Sequence, residues 1–141
     1  MMASRDALAG AAVVDLFAGT GAMGIEALSR GAATATFVDS DGGAIEAIRA
    51  NLGLTGLAGR AEVVRADVLR WLERGHAFDL AFVDPPYGFE RWDRLLQLLD
   101  VELAVLESDR RVEVGAPWEA VVERRYGGTV VTLVNRQKGH A

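Results

Sequence analysis

Five short apolar runs alternate with longer segments in which apolar residues recur every three or four positions, and this alternation sets the expected architecture. The runs predict strands over 12–16 (AVVDL), 34–39 (TATFVD), 61–66 (AEVVRA), 78–84 (FDLAFVD) and 101–107 (VELAVLE). Helices are expected over 22–31, 42–53, 68–74 and 91–99, with Ile45, Ile48 and Leu52 marking one buried stripe. Strand and helix in strict alternation favour an α/β fold, a parallel sheet with helices on both faces. After Pro117 the pattern changes: AVVERRY and TVVTLVNR flank a pair of glycines, which predicts an antiparallel hairpin added to the sheet. No linker, repeat or low-complexity tract interrupts the chain, so residues 1–141 read as one domain with a core from about 11 to about 135.

Composition narrows the classes. At 141 residues, 50% of them hydrophobic and 25% charged, the chain suits a single core. It has no cysteine, which removes disulfides and thiolate zinc sites, and its two histidines, His76 and His140, stand too far apart in sequence for a histidine metal cluster. No metal is expected. No apolar run approaches the roughly 18 residues of a membrane span. ALAGAAVV lies between Asp6 and Asp15 and reads as the approach to the first strand, so a cytoplasmic protein is expected. The net charge of −5 is unlike the basic footprint of most nucleic-acid binders. From residue 110 onward, however, six basic residues face three acidic ones. That end can meet phosphates, or it can simply carry the solvated charges of an edge hairpin.

The segment VVDLFAGTGAMGIEALSRG is a strand, a glycine turn and a helix without bulky residues at its start. Gly19 and Gly21 permit backbone torsions closed to other residues, and GTGAMG fits the dinucleotide fingerprint G-x-G-x-x-G. Its acidic neighbours argue for another ligand. Asp15 ends the strand four residues before Gly19, where it repels a pyrophosphate and favours a cation. S-adenosylmethionine is such a ligand, with sulfonium and ammonium charges and no phosphate. Asp39, ending the second strand, offers two acceptor oxygens for ribose hydroxyls. Asp67, after the third, can accept from the adenine amino group while the amide of Val68 addresses a ring nitrogen. Asp39 and Asp67 also suit helix N-caps. Three carboxylates at successive strand ends fall where open parallel sheets bind ligands.

DLFAGTGAMGIEALSRGA, FVDSD, RADVLRWL and FVDPPYG, in that order, resemble the class I S-adenosylmethionine-dependent methyltransferases. The chain is most similar to the RsmD type, which methylates guanine N2 in bacterial small-subunit ribosomal RNA. The resemblance extends through RRYGGTVVTL. It implies a Rossmann-like three-layer sandwich around a seven-stranded, mostly parallel sheet whose last strand is antiparallel. It further implies that Asp15, Phe17, Ala18, Gly19, Thr20 and Gly21 line the methionine end of the cofactor. Asp39 and Ser40 then hold the ribose, and Asp67 and Val68 the adenine. Two departures stand out: only MMASRDALAG occupies the place of the family's N-terminal hairpin and helix, and the helix in ERWDRLLQLLD is short. Weaker cofactor closure and a weaker grip on RNA are the expected results.

The fourth motif carries the chemistry. A nucleobase amine is a poor nucleophile because its lone pair is delocalised, and it must pyramidalise to attack a methyl group. The carboxylate of Asp84 and the carbonyl of Pro85 can bind both N–H bonds outside the base plane. Pro85 and Pro86 stiffen that carbonyl, and Tyr87 offers a face on which an extracted base stacks. The expected reaction converts S-adenosylmethionine to S-adenosylhomocysteine and methylates an exocyclic guanine amine in 16S ribosomal RNA or the small subunit, without a metal. Alternatives are a DNA adenine or cytosine amino-methyltransferase, an idle cofactor-binding module, and a nicotinamide oxidoreductase. Trp71, Trp92, Trp118 and Met23 read as packing residues, Arg91 and Arg94 as solvated helix positions.

Overall fold

The structure, a computed structural model, describes residues 5–137; His140 and the outer ends of the expected 1–141 span lie outside the described residues. Seven strands form one sheet: β1 (Ala12–Leu16), β2 (Thr34–Asp39), β3 (Ala61–Arg65), β4 (Ala77–Val83), β5 (Asp100–Ser108), β6 (Trp118–Tyr126) and β7 (Thr129–Arg136). Their spatial order is β3-β2-β1-β4-β5-β7-β6. The first five are parallel, and β7 runs antiparallel to both β5 and β6. The expected hairpin is therefore present, with its second arm inserted beside β5. A bulge between Ala120 and Val122 interrupts the pairing of its first arm.

Five helices flank the sheet: α1 (Arg5–Leu8), α2 (Ala22–Ser29), α3 (Gly42–Thr55), α4 (Val68–Glu73) and α5 (Trp92–Leu98). Side chains alternate along each strand, so consecutive residues feed different cores. Val13, Phe37, Leu80 and Phe82 pack with Leu28 of α2 and Ile48 of α3, whereas Val14, Val38, Ala81 and Val83 pack with Trp71 of α4 and Leu95 of α5. Three layers result, as the pattern predicts.

Local chemistry accounts for the differences at element ends. α2 stops at Ser29, short of the expected 31, because Gly31 turns the chain at φ 114° and the Ala32 amide bonds back to the Ala27 carbonyl at 3.0 Å. α3 continues to Thr55, where Gly56 takes a left-handed φ of 72°. The approach to β1 contains one helical turn, α1, because Leu8 is drawn fully out of solvent into the α2-side core. Trp71 and Trp118 are buried as expected: Trp71 stacks on His76, and Trp118 Nε1 donates to the Leu96 carbonyl at 3.0 Å under the Arg136 guanidinium. No helix among the described residues is long and apolar enough to cross a membrane.

Candidate active site

Four strands end in acidic residues at equivalent places. Asp15, Asp39, Asp84 and Glu107 each stand two positions beyond a residue of the α2-side core, respectively Val13, Phe37, Phe82 and Val105. Period-two alternation therefore turns all four carboxyl groups toward the α2 side of the sheet's carboxyl rim. The registers Asp15↔Phe37, Asp15↔Phe82 and Val83↔Leu106 put Asp84 beside Glu107 and Asp15 one step beneath the row.

Asp15 is the most enclosed member, at 3% exposure, and its Oδ2 accepts the Gly24 amide at 2.9 Å. Burial raises its pKa from 3.8 to about 7; the Gly24 amide opposes this, and the charges of Asp84, Asp39 and Glu107 add to it. A stability consequence follows from the sign of its shift. Between pH 3.8 and about 7 the folded chain holds a proton that the unfolded chain has released, so this contribution is full at low pH and is lost as pH rises through that window. Thermal unfolding at pH 5 and pH 8 should show the wild type losing midpoint relative to Asp15→Asn on the alkaline side. An unchanged difference between the two proteins would refute this account of Asp15.

The loop after β1 is shaped by torsion and by Asp39. Phe17 adopts φ 57°, uncommon for a bulky residue, and Gly21 adopts φ 81°. Asp39 Oδ2 accepts the Gly19 amide and its Oδ1 accepts the Asp41 amide, both at 2.9 Å. Each oxygen retains acceptor capacity toward a ligand. The Ala18 amide donates to the Val38 carbonyl, and the Thr20 carbonyl accepts from Asn51 Nδ2, which ties the loop to β2 and α3. Asp67 caps α4 by accepting the Arg70 amide at 3.0 Å, and Val68 is buried at 3% exposure.

On the far side of the rim, the Phe89 amide donates to the Pro86 carbonyl at 3.2 Å and Gly88 takes φ 83°, a tight turn that holds Tyr87 outward at 77% exposure. Among the described residues no hydrogen bond uses the Pro85 carbonyl. Phe17 meets Phe89 edge-on at 5.5 Å, and Phe89 meets Trp92 at 5.4 Å, so an aromatic chain braces the two loops against each other. Partial burial raises the Asp84 carboxyl, which keeps one edge in solvent. Burial and the Asp84 charge raise Glu107, whose carboxyl group comes within hydrogen-bonding reach of Asp84.

A cavity of about 650 Å³ brings Phe17, Asp39 and Ser40 together with Asp84, Pro85, Pro86 and Tyr87. Asp15, Ala18, Gly19, Thr20, Gly21, Asp67 and Val68 lie outside its lining. The sequence reading missed Asp41, Glu107, Ser108 and Thr129, all of which line it. Glu107 had a signal: like Asp39, it is a carboxylate at the end of an apolar strand. A second cavity, about 480 Å³, shares Glu107 and Thr129 with the first.

The family model described as Conserved hypothetical protein 95 matches residues 1–135. The chain belongs to that family. A Bacillus subtilis (strain 168) relative, "Putative rRNA methyltransferase YlbH", is 39% identical over 123 residues, 84% of this chain and 66% of the relative. "Ribosomal RNA small subunit methyltransferase D" of Escherichia coli (strain K12) is 33% identical over 135 residues, 88% of this chain and 68% of the relative. The chain thus spans about two thirds of the length of these curated relatives. Among solved structures, "Putative methyltransferase yhhF" of Escherichia coli superposes at a TM-score of 0.84 with 31% identity, over 94% of this chain and 78% of that one. The family and the sheet architecture implied by the four motifs are those found, and the family's relatives carry methyltransferase names.

Proposed function

We propose that this chain is an S-adenosylmethionine-dependent methyltransferase acting on the exocyclic N2 amine of a guanine in small-subunit ribosomal RNA. The observation that carries this reading is the single cavity in which Asp39 and Ser40 face Asp84, Pro85 and Tyr87. Its chemistry suits the donor. Among the described residues the lining holds Asp39, Asp41, Asp84 and Glu107 and no lysine or arginine, which favours a cationic ligand over a diphosphate. At about 650 Å³ it falls within the range of small-molecule sites. Asp39 would hold the ribose and the loop from Phe17 to Gly21 the methionine end, with Asp67 and Val68 toward the adenine. When bound, the donor supplies an electrophilic methyl group on sulfur.

The remaining work belongs to the chain. Asp84 and the free Pro85 carbonyl accept the two amine hydrogens out of the base plane, which localises the nitrogen lone pair. Tyr87 stacks on the extracted base, a contact worth about 1–3 kcal/mol in single-strand binders. Holding the reacting atoms near 3–3.5 Å supplies ~7–11 kcal/mol of effective-molarity advantage. Asp84 then takes the proton released by the amine. Beyond the cavity, Arg110 and Arg111 follow Ser108 after Asp109, and Arg124 and Arg125 lead into the hairpin turn before Thr129. All four are exposed and support phosphate contact. Incubation with tritiated S-adenosylmethionine should label unmethylated small ribosomal subunits and leave duplex DNA unlabelled. Label in the DNA, or in neither substrate, would overturn the proposal.

A further inference from the structure

Asp84 accounts for the amine but not for the choice of base. Adenine and cytosine also carry exocyclic amines. Each has a ring nitrogen lone pair beside the amine, whereas guanine has an N1–H donor there. A site that prefers guanine therefore needs a second acceptor next to the amine clamp, and an adjacent carboxylate meets that need because it accepts without donating.

Glu107 stands in that place. The parallel register Val83↔Leu106 puts it abreast of Asp84 on the neighbouring strand, and the two carboxyl groups are close enough to share a hydrogen bond. Its side chain lines both the larger cavity and the smaller one, so a planar ligand entering the larger cavity reaches it. The charged and titratable groups that share its cavities are Asp39, Asp41, Asp84 and Tyr87 in the larger and Glu26 and Tyr126 in the smaller, with Asp15 beneath on β1; among the described residues no basic one lines either cavity. Nothing basic competes for its oxygens within the lining.

We propose that Glu107 is the specificity-determining residue of this site, accepting N1–H of guanine beside the amine held by Asp84. The inference rests on the methyltransferase reading above. Guanine brings its own N1–H and N2–H donors to the two adjacent carboxyl groups, which accept without donating when ionised. Adenine or cytosine would instead set a lone pair against a carboxylate.

The test compares two RNAs. Wild-type protein first methylates unmethylated small subunits, and the modified guanosine is located by mass spectrometry. Small-subunit RNA is then prepared, and reconstituted into particles, with either guanosine or 2-aminopurine at that position. 2-Aminopurine keeps the amine but presents a lone pair at N1. Single-turnover rates are measured for every protein at one mildly alkaline pH, which favours the ionised carboxylates. Wild type should prefer guanosine by roughly 100-fold. In Glu107→Gln, whose amide can donate to N1, the preference should shrink at least about 10-fold; Glu107→Ala, which removes the acceptor, should also shrink it. The missing O6 of 2-aminopurine affects every protein alike, so the change between variants isolates Glu107, and a preference ratio is insensitive to a general loss of activity. Retention of the full wild-type preference in either variant overturns the inference alone. Failure of the wild type to label any RNA overturns the function itself and the inference with it.

Discussion

Replacing Asp84 by alanine is expected to slow methyl transfer about 100- to 1,000-fold while changing donor affinity by no more than about 10-fold. The asymmetry follows from position. Asp84 directly follows β4, at the clamp side of the cavity, whereas Asp39 ends β2, which is separated from β4 by β1. Alanine removes an acceptor whose interaction with the amine strengthens as nitrogen gains positive charge, so the loss falls on the transition state. Asp84→Asn keeps one acceptor oxygen but not the charge, and an intermediate loss of about 10- to 100-fold is expected. Removing the charge also relieves Asp15 and Glu107, both of which Asp84 pushes upward; their carboxyl groups should titrate at lower pH in the variant. Single-turnover labelling and calorimetric titration with S-adenosylmethionine separate the effects. A variant that loses the donor but transfers normally once saturated would place Asp84 in cofactor binding instead.

Gly24→Ala is expected to lower stability by about 1–3 kcal/mol, seen as a fall of roughly 3–12 °C in the unfolding midpoint. A methyl group there would stand 2.4 Å from Cε1 and 2.7 Å from Cζ of Phe37. Phe37 is fully buried and cannot swing aside, so α2 must lift from β2. The same movement breaks the hydrogen bond from the Gly24 amide to Asp15 Oδ2 and tilts the start of α2, so donor affinity should fall together with the midpoint. Gly19→Ala makes an informative contrast: space is open there, with nothing within 4 Å, and the cost comes from φ +60° alone, about 1 kcal/mol. An unchanged midpoint in Gly24→Ala would mean that the helix has slack the close contact denies.

The strands were legible because apolar runs of strand length end at carboxylates or glycines, and the alternation with helical stripes fixes a parallel order. That Asp84, Pro85 and Tyr87 stand together was legible because they are consecutive or nearly so at the end of an apolar run, and they do line one cavity. Less of the site could be read from spacing. Glu107 becomes a neighbour of Asp84 only through the β4–β5 register, and short motifs do not encode register. Asp39 was expected to face a ribose with both oxygens, yet each already accepts a backbone amide; the carboxylate shapes the loop and keeps acceptor capacity on each oxygen. Asp67 proves to be the N-cap of α4, the role its residue type favours, and it lies outside the lining of the cavity. The left-handed torsion of Phe17 has no sequence signature, since it is imposed by the Ala18 amide reaching the Val38 carbonyl.

The insertion of β7 between β5 and β6 bears on how the chain is made. Synthesis delivers every proposed clamp residue and Glu107 before the hairpin, so the carboxylate rim can assemble while β5 still has one flank unpaired. Until Arg136 has emerged, that flank is an open row of amides and carbonyls beside apolar side chains, a template for sticking to other nascent chains. Stop codons or proteolysis between β6 and β7 should therefore yield insoluble material, even though every proposed donor and clamp residue survives.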